Sequence, residues 1–305
     1  MVKFLPTEKF TWVNIDSIDA EAIEYLQKNH NFHHLDIENI QGEKQTPKID
    51  VYKNYLFLVL HIPHWKVDTE TIVPVEVDIF INENFLITIQ HGKSKTINNF
   101  FYRCRKNRSI RREWMKGSTG YLLYQLIEAL FKNTSPILNN INSELNSVED
   151  DIFSENYDTK AIRQLAYLRR NVLNFRRIID PQRYLIAKLA GMRKPFLSEE
   201  TSIYFDDVND YLNKLWSIVE RYIDTINGLH VTTESIINQR TNRGNSALTI
   251  ISVSLLPLNL LSGIYGMNID RLPFAHNPNY VWGIYVLLVI LIFSILIYGK
   301  KKRWL

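Results

Sequence analysis

The sequence predicts an α+β membrane protein that has an N-terminal cytoplasmic α/β domain, long stalk helices and two C-terminal transmembrane helices. Strand patterns occur only in the first 115 of the 305 residues. From residue 116 onward, apolar residues recur three and four positions apart, which is the period of one face of an α-helix. Two segments near the C-terminus, 245–264 and 280–299, each contain twenty consecutive residues without a charge. These patterns separate a water-soluble part from a membrane hairpin.

The first part of the chain combines strands with a short helix. Residues 55–63 and 76–92 are rich in branched apolar side chains that partly alternate with polar ones, which is typical of paired β-strands. Residues 19–30 have a helical pattern that Asp19 can cap. The first residues lack an apolar core of signal-peptide length, so we expect this part to stay in the cytoplasm. A single cysteine, Cys104, fits a reducing compartment.

Three long helices follow the strands. The region 116–200 predicts two of them, arranged as an antiparallel hairpin. A third helix begins near Thr201 and continues toward Asn245 without a proline, so a rod of about sixty residues runs into the first apolar segment. A helix of this length needs neighbours to bury its apolar stripe, which favours an oligomer.

The two apolar segments are long enough to be membrane spans. A bilayer core of about 30 Å requires roughly 20 helical residues, so each segment can cross once. Positive residues lie outside the hairpin, at Arg240, Arg243 and 300–303, and predict that both of its outer ends are cytoplasmic. The predicted segments are the α/β domain 1–115, the helical hairpin 116–200, the stalk helix and first span 201–264, the external loop 265–279, the second span 280–299 and the basic tail 300–305.

The first span carries a polar stripe that the second span lacks. Steps of three and four residues place on one face Asn242, Asn245, Leu248, Ser252, Leu256, Asn259 and Gly263. Polar side chains inside a membrane usually face a bundle interior or a water-filled path. The stripe therefore predicts either helix packing through small residues or a pore-lining surface. Because two spans cannot enclose a pore, the second interpretation requires several copies of the chain.

The end of this span resembles the CorA family of divalent-cation channels. The family signature is matched by Tyr265, Gly266, Met267 and Asn268, which lie between two C-terminal spans and precede the terminal sequence "KKKRWL". The resemblance extends over most of the chain. It implies a homopentamer with a cytoplasmic α/β funnel and five stalk helices around one axial pore. It also implies passive Mg²⁺ uptake driven by the membrane potential, with Co²⁺ and Ni²⁺ as substitutes.

The resemblance assigns roles to residues along the pore. It implies a selectivity filter at 265–268 and a pore lined by the polar stripe, in which Leu248 and Leu256 are apolar constrictions that close by dewetting. Mg²⁺ holds its waters tightly, so a ring of neutral Asn268 amides can bind the hydrated ion without trapping it. Asp270 is the one acidic residue of the loop that could attract cations.

Members of this family sense cytoplasmic Mg²⁺ through acidic residues between subunits. By the resemblance, Asp207 matches the acidic position of the stalk and Glu38 matches the first acid of the funnel pattern. Asn39 stands where the family has an aspartate, so sensing is either weaker here or uses Asp36 together with Glu38. An ordinary solvated helix surface is the alternative for these acids. Mg²⁺ is thus expected as both transported and regulatory ion, with no organic cofactor.

The remaining sequence features limit the functions that the chain can have. The loop lacks the acidic motif common in the family, which keeps open the alternative of a zinc transporter of the ZntB branch, with or without coupling to protons. A net charge of +4 is too small to indicate nucleic-acid binding. No nucleophile–base pair or nucleotide motif suggests an enzyme, and the His cluster at 30–34 lacks a second ligand set at metal-binding spacing. A membrane-anchored helical scaffold is the more distant alternative; the expected partners are the chain itself, lipid and divalent cations.

Overall fold

The computed structural model describes residues 1–42, 44–92, 94–154, 159–267 and 278–301. The chain forms two compact units, Met1–Gly228 and Leu229–Leu305. One long helix contributes to both, and each unit is described by itself below.

The first unit is built on a six-stranded mixed sheet in the order β1-β2-β6-β5-β4-β3. The strands are β1 Val2–Pro6, β2 Thr11–Ile15, β3 Lys48–Val51, β4 Leu56–Lys66, β5 Thr71–Ile81 and β6 Phe85–Gln90. The predicted pairing of 55–63 with 76–92 is confirmed, because β4 and β5 are antiparallel neighbours. The segment 76–92 contains the end of β5 and all of β6, joined by a turn in which Asn82 Oδ1 accepts hydrogen bonds from two backbone N–H groups.

The sheet is buried on both faces. Helices α1 Ala20–Asn29 and α2 His34–Gln41 cover one face, where Phe57 and Phe80 stack at 4.6 Å between ring centroids. On the other face, Trp12 packs edge-on against Phe101 of helix α3 Lys95–Lys106 at 4.8 Å. Burial of one such aromatic side chain contributes roughly 1.5–3 kcal/mol, so this double layer is the main stabilising core of the unit.

One helix cap and one close backbone contact help to place the helices of this unit. Asp19 caps α1 as predicted, with its Oδ1 accepting a hydrogen bond of 2.9 Å from the N–H of Ala22. The other helices of this unit are α4 Arg108–Trp114, α5 Thr119–Lys132, α6 Ser135–Phe153, α7 Thr159–Ala190 and the first part of α8 Glu199–Tyr265. A Cβ at Gly120 would lie 2.0 Å from the carbonyl oxygen of Phe196, so only glycine permits α5 to approach that segment.

The predicted rod is confirmed by α8, which is continuous over 67 residues. Its C-terminal part and α9 Pro278–Lys301 form the described portion of the second unit. Both helices are long and apolar enough to cross a membrane, with mean hydropathies of 1.9 and 2.7 over their most apolar windows. Only about 6% of the residues in each window are buried within the chain, so these surfaces are available to lipid or to other copies.

Candidate ion pathway and cation-sensing residues

The predicted pore stripe is exposed along its whole length. Every one of its seven positions on α8 is solvent-exposed in the single chain: Asn242, Asn245, Leu248, Ser252, Leu256, Asn259 and Gly263. Leu248 and Leu256 expose 64% and 61% of their surface. A mixture of amides, a hydroxyl and large leucines on one face is typical of a helix that packs against other helices or lines a water-filled path.

The opposite face of the same helix segment is partly covered. Its less exposed positions between 245 and 265 are Ala247, Ile250, Ser254, Leu258, Leu261 and Tyr265. A matching stripe on α9 consists of Val281, Ile284, Tyr285, Leu288, Ile292 and Leu296. A hydrogen bond of 2.9 Å between Ser262 Oγ and Tyr285 OH joins the two helices. The second span therefore packs behind the first and leaves the polar stripe free.

The C-terminal end of α8 requires a glycine. The N–H of Gly266 donates to the carbonyl of Ser262 at 2.9 Å, and a Cβ at Gly266 would lie 2.8 Å from that same oxygen. Such a contact is shorter than any Cβ tolerates, so the chain turns at this point only without a side chain. Met267, the last described residue before the loop, is 53% exposed. The other predicted filter residue, Asn268, and the loop acid, Asp270, lie outside the described residues.

The acidic residues assigned to sensing occupy two different helices of the first unit. Asp207 is exposed on α8. Burial and the neighbouring Glu128 raise the pKa of the Tyr124 hydroxyl on α5, and the charge of Asp207 makes a smaller contribution in the same direction. Glu38 is exposed on α2, where its backbone carbonyl accepts the N–H of Gly42 that ends the helix. Both carboxylates are thus accessible at the surface of one chain.

Asp36 has a different environment from the other two acids. It is 1% exposed and accepts hydrogen bonds of 2.9 and 2.8 Å from the hydroxyls of Tyr52 and Tyr55. Burial, together with the neighbouring Asp36 carboxylate, raises the pKa of Tyr52 to about 12. Tyr55 in turn accepts a hydrogen bond of 2.8 Å from the backbone of His33. Both carboxylate oxygens of Asp36 are thus engaged in hydrogen bonds that link α2 to the segment between β3 and β4.

A cluster that sequence reasoning did not identify lies beside β5. Glu76, Asp78 and His91 place their ligand atoms within 4.8 Å of one another. Burial raises the pKa of Asp78, whereas for His91 the hydrogen bond and charge of Asp78 outweigh burial and raise its pKa. The available signal was the pair of acids two positions apart within a strand that is otherwise apolar, since such a pair shares one face of the sheet.

The model of the family described as "CorA-like Mg2+ transporter protein" matches residues 7–301. The chain belongs to this family. It is therefore a membrane transporter of the CorA and ZntB type, which handles divalent cations.

Curated relatives of this CorA-family chain cover almost all of it. The cobalt/magnesium transport protein CorA of Thermotoga maritima is 29% identical over 97% of this chain and 83% of the relative. The zinc transport protein ZntB of Yersinia pseudotuberculosis is 20% identical over 96% of this chain and 88% of the relative. Relatives with different cargo thus match over similar lengths, so family membership alone does not determine the ion.

A solved relative has the same fold. The complete structure of the CorA magnesium transporter from Methanocaldococcus jannaschii superposes with a TM-score of 0.85 and covers 99% of this chain and 94% of that one. The two sequences are 22% identical. The α/β domain, the long helix and the C-terminal apolar helices are therefore the CorA architecture.

Proposed function

We propose that this CorA-family chain is one subunit of a homopentameric channel that carries Mg²⁺ into the cell, with Co²⁺ and Ni²⁺ as substitutes. The observation that carries the proposal is the wholly exposed polar stripe of α8, which ends at the YGMN signature. Its other face is covered by α9, so the stripe is the surface left for neighbouring copies. Five such stripes around an axis enclose a path that one chain cannot form.

The chemistry of the stripe suits an ion that keeps its water. Mg²⁺ gives up its hydration shell reluctantly, and amide and backbone oxygens accept hydrogen bonds from bound waters. A ring of Asn268 amides at the outer mouth attracts the hydrated ion without the strong charge that would retain it. The exposed Leu248 and Leu256 form apolar rings deeper in the path, which block ions when the water between them is lost.

Regulation is assigned to Asp207 and Glu38. Both are exposed in the single chain and are available to bridge to a neighbouring subunit through Mg²⁺. Cytoplasmic Mg²⁺ bound there would hold the closed state, because carboxylates of adjacent chains repel each other when the ion leaves. The basic flanks of the hairpin favour a cytoplasmic membrane location with both termini inside.

Cation flux into proteoliposomes tests the proposal. Under an inside-negative potential we expect influx of Mg²⁺ and Co²⁺ that is independent of a pH gradient. Asn268→Ala should abolish the flux and leave the oligomer intact, whereas Asn279→Ala, an amide at the start of α9, should retain it. Unchanged flux in Asn268→Ala would contradict the filter assignment.

The same assay distinguishes the second candidate, a zinc transporter. The ZntB relative, which matches 96% of this chain, and the absence of the usual acidic loop motif support this alternative. It predicts Zn²⁺ flux that depends on a proton gradient and no Mg²⁺ flux. An absence of flux for every cation tested, with an intact oligomer, would instead favour a scaffold.

A further inference from the structure

Two acidic side chains are buried on the same face of the central sheet. Glu76 and Asp78 lie two residues apart on β5, and both residues are 0% exposed. His61 is the register partner of Glu76 on β4. His91 follows β6, and its backbone N–H donates to the Glu76 carbonyl at 3.2 Å. Three adjacent strands therefore bring two carboxylates and two imidazoles together.

The distances between these groups are close to the separations of ligand atoms around one small ion. His91 Nε2 lies 2.6 Å from Asp78 Oδ2 and 3.5 Å from Glu76 Oε1. A tetrahedral zinc with bonds of about 2.0–2.1 Å separates its ligand atoms by about 3.3 Å. Small side-chain rotations would therefore be sufficient to coordinate an ion between Glu76, Asp78 and His91.

The hydrogen bonding of the cluster is incomplete. Within the part of the chain that the structure describes, neither Glu76 Oε1 nor Asp78 Oδ1 has a hydrogen-bond partner. A buried carboxylate oxygen without a partner is costly, and two adjacent carboxylates repel each other. A dication would satisfy both oxygens, and with neutral imidazoles it would balance the two negative charges.

The donor set selects the class of ion. Imidazole together with carboxylate suits zinc and cobalt, whereas Mg²⁺ prefers six oxygen ligands and usually keeps several waters. We propose that Glu76, Asp78 and His91 bind a transition-metal dication such as Zn²⁺ or Co²⁺, with a fourth position open to water. The proposal does not depend on which cation crosses the membrane.

Neighbouring groups orient the ligands. His61 Nε2 lies 3.3 Å from Glu76 Oε2, and the N–H of Gln45 donates to the same oxygen at 3.0 Å. These contacts hold one oxygen of Glu76 and point the other toward Asp78 and His91, as outer-shell partners do. The side chains of His61 and His91 remain 14% and 11% exposed, which gives the ion a route from solvent.

Metal binding to the purified full-length protein tests the site. After chelator treatment, Zn²⁺ is titrated against a competing chelator in millimolar Mg²⁺, so that magnesium sites elsewhere are filled. We expect one Zn²⁺ per chain that Mg²⁺ does not displace. His91→Gln should remove this Zn²⁺, and His61→Gln should weaken it by about 10–100-fold. His64→Gln, an exposed histidine three residues from His61 on β4, is the matched control and should bind as the wild type does.

Co²⁺ absorption gives a readout that needs no variant. Co²⁺ in a site with few ligands, one of them imidazole, should show visible bands much stronger than those of hydrated Co²⁺, and added Zn²⁺ should abolish them. Bands no stronger than those of the hydrated ion in the wild type would overturn the proposal. Equal Zn²⁺ binding by the wild type and a folded His91→Gln variant, checked by circular dichroism, would overturn it as well.

Discussion

Gly266 illustrates how a single residue determines the way in which α8 ends. The helix ends there with the Gly266 N–H bonded to the Ser262 carbonyl, and the same carbonyl occupies the space that a side chain would need. A glycine at this position is therefore a steric requirement of the helix end, in addition to being part of the family signature.

Gly266→Ala tests that requirement. A Cβ placed 2.8 Å from the Ser262 oxygen must displace the helix end. We expect at least a tenfold loss of Mg²⁺ flux in proteoliposomes, because about 1.4 kcal/mol of distortion already corresponds to a factor of 10. Gly283→Ala on α9 is the matched control, since nothing lies within 4 Å of its Cβ position. Normal flux in Gly266→Ala would show that the mouth tolerates a side chain.

Asp36 and Glu38 are two residues apart on α2 but have different environments, since Asp36 is buried and Glu38 is exposed. Asp36→Ala leaves the hydroxyls of Tyr52 and Tyr55 without their acceptor. Each buried group that loses its partner costs about 1–3 kcal/mol, so the melting temperature should fall clearly. Glu38→Ala should leave the melting temperature nearly unchanged, because Glu38 is exposed. Thermal unfolding followed by tryptophan fluorescence in EDTA measures both; equal melting temperatures would contradict the structural role of Asp36.

At the scale of elements, the two faces of the first span have different neighbours. α9 covers one stripe of α8 and is joined to it by the bond between Ser262 and Tyr285. The stripe through Leu256 is free in the single chain. The two apolar leucines of that stripe should therefore control the passage of ions, while leucines beside it should contact lipid or another helix.

Leu256→Asn tests the proposed constriction. An amide ring at this level should hold water and prevent closure by dewetting, so Mg²⁺ flux under inhibiting cytoplasmic Mg²⁺ should rise severalfold. Leu291→Asn is the matched control, since Leu291 is also exposed in the single chain, at 48%, but lies on α9 and therefore outside the stripe. A rise in both variants, or in neither, would show that the stripe does not line the path.

At the scale of the whole molecule, the residue proposed for sensing and the stripe proposed for conduction lie on one helix. Asp207 and the polar stripe belong to the same uninterrupted helix. Binding of a cation between Asp207 and a neighbouring chain would bias the position of that helix, and the pore would respond through its backbone. The proposed pentamer is therefore needed for both the path and its regulation.

Asp207→Asn tests this coupling. Removing the charge should weaken inhibitory Mg²⁺ binding, and the cytoplasmic Mg²⁺ concentration for half-inhibition should rise at least about 5-fold, the lower range of allosteric coupling. Asp206→Asn is the matched control, because Asp206 is the adjacent exposed acid. Inhibition measured in patches or proteoliposomes with defined internal Mg²⁺ provides the comparison. Equal shifts in the two variants would indicate a general effect of surface charge.

Much of the architecture could be predicted from the sequence because its signals are local. The long helix α8, the cap at Asp19 and the paired strands β4 and β5 each depend on residue spacing within a short window. The two spans follow from hydropathy, which is a sum over neighbouring residues. The signature at 265–268 is likewise contiguous, and the family match confirms the resemblance that it indicated.

The sequence by itself thus determined the class of protein, its long helices and the stripe proposed to conduct ions. Only the tertiary structure decided that Asp36 is held by two tyrosines, that α9 covers the back of α8, and that His61 and His91 meet Glu76 and Asp78. The physical reason is that each of these contacts joins residues from separate segments of the chain. Periodicity reports which face of an element is apolar, whereas hydrogen bonds and metal ligands depend on which other element the fold places against it.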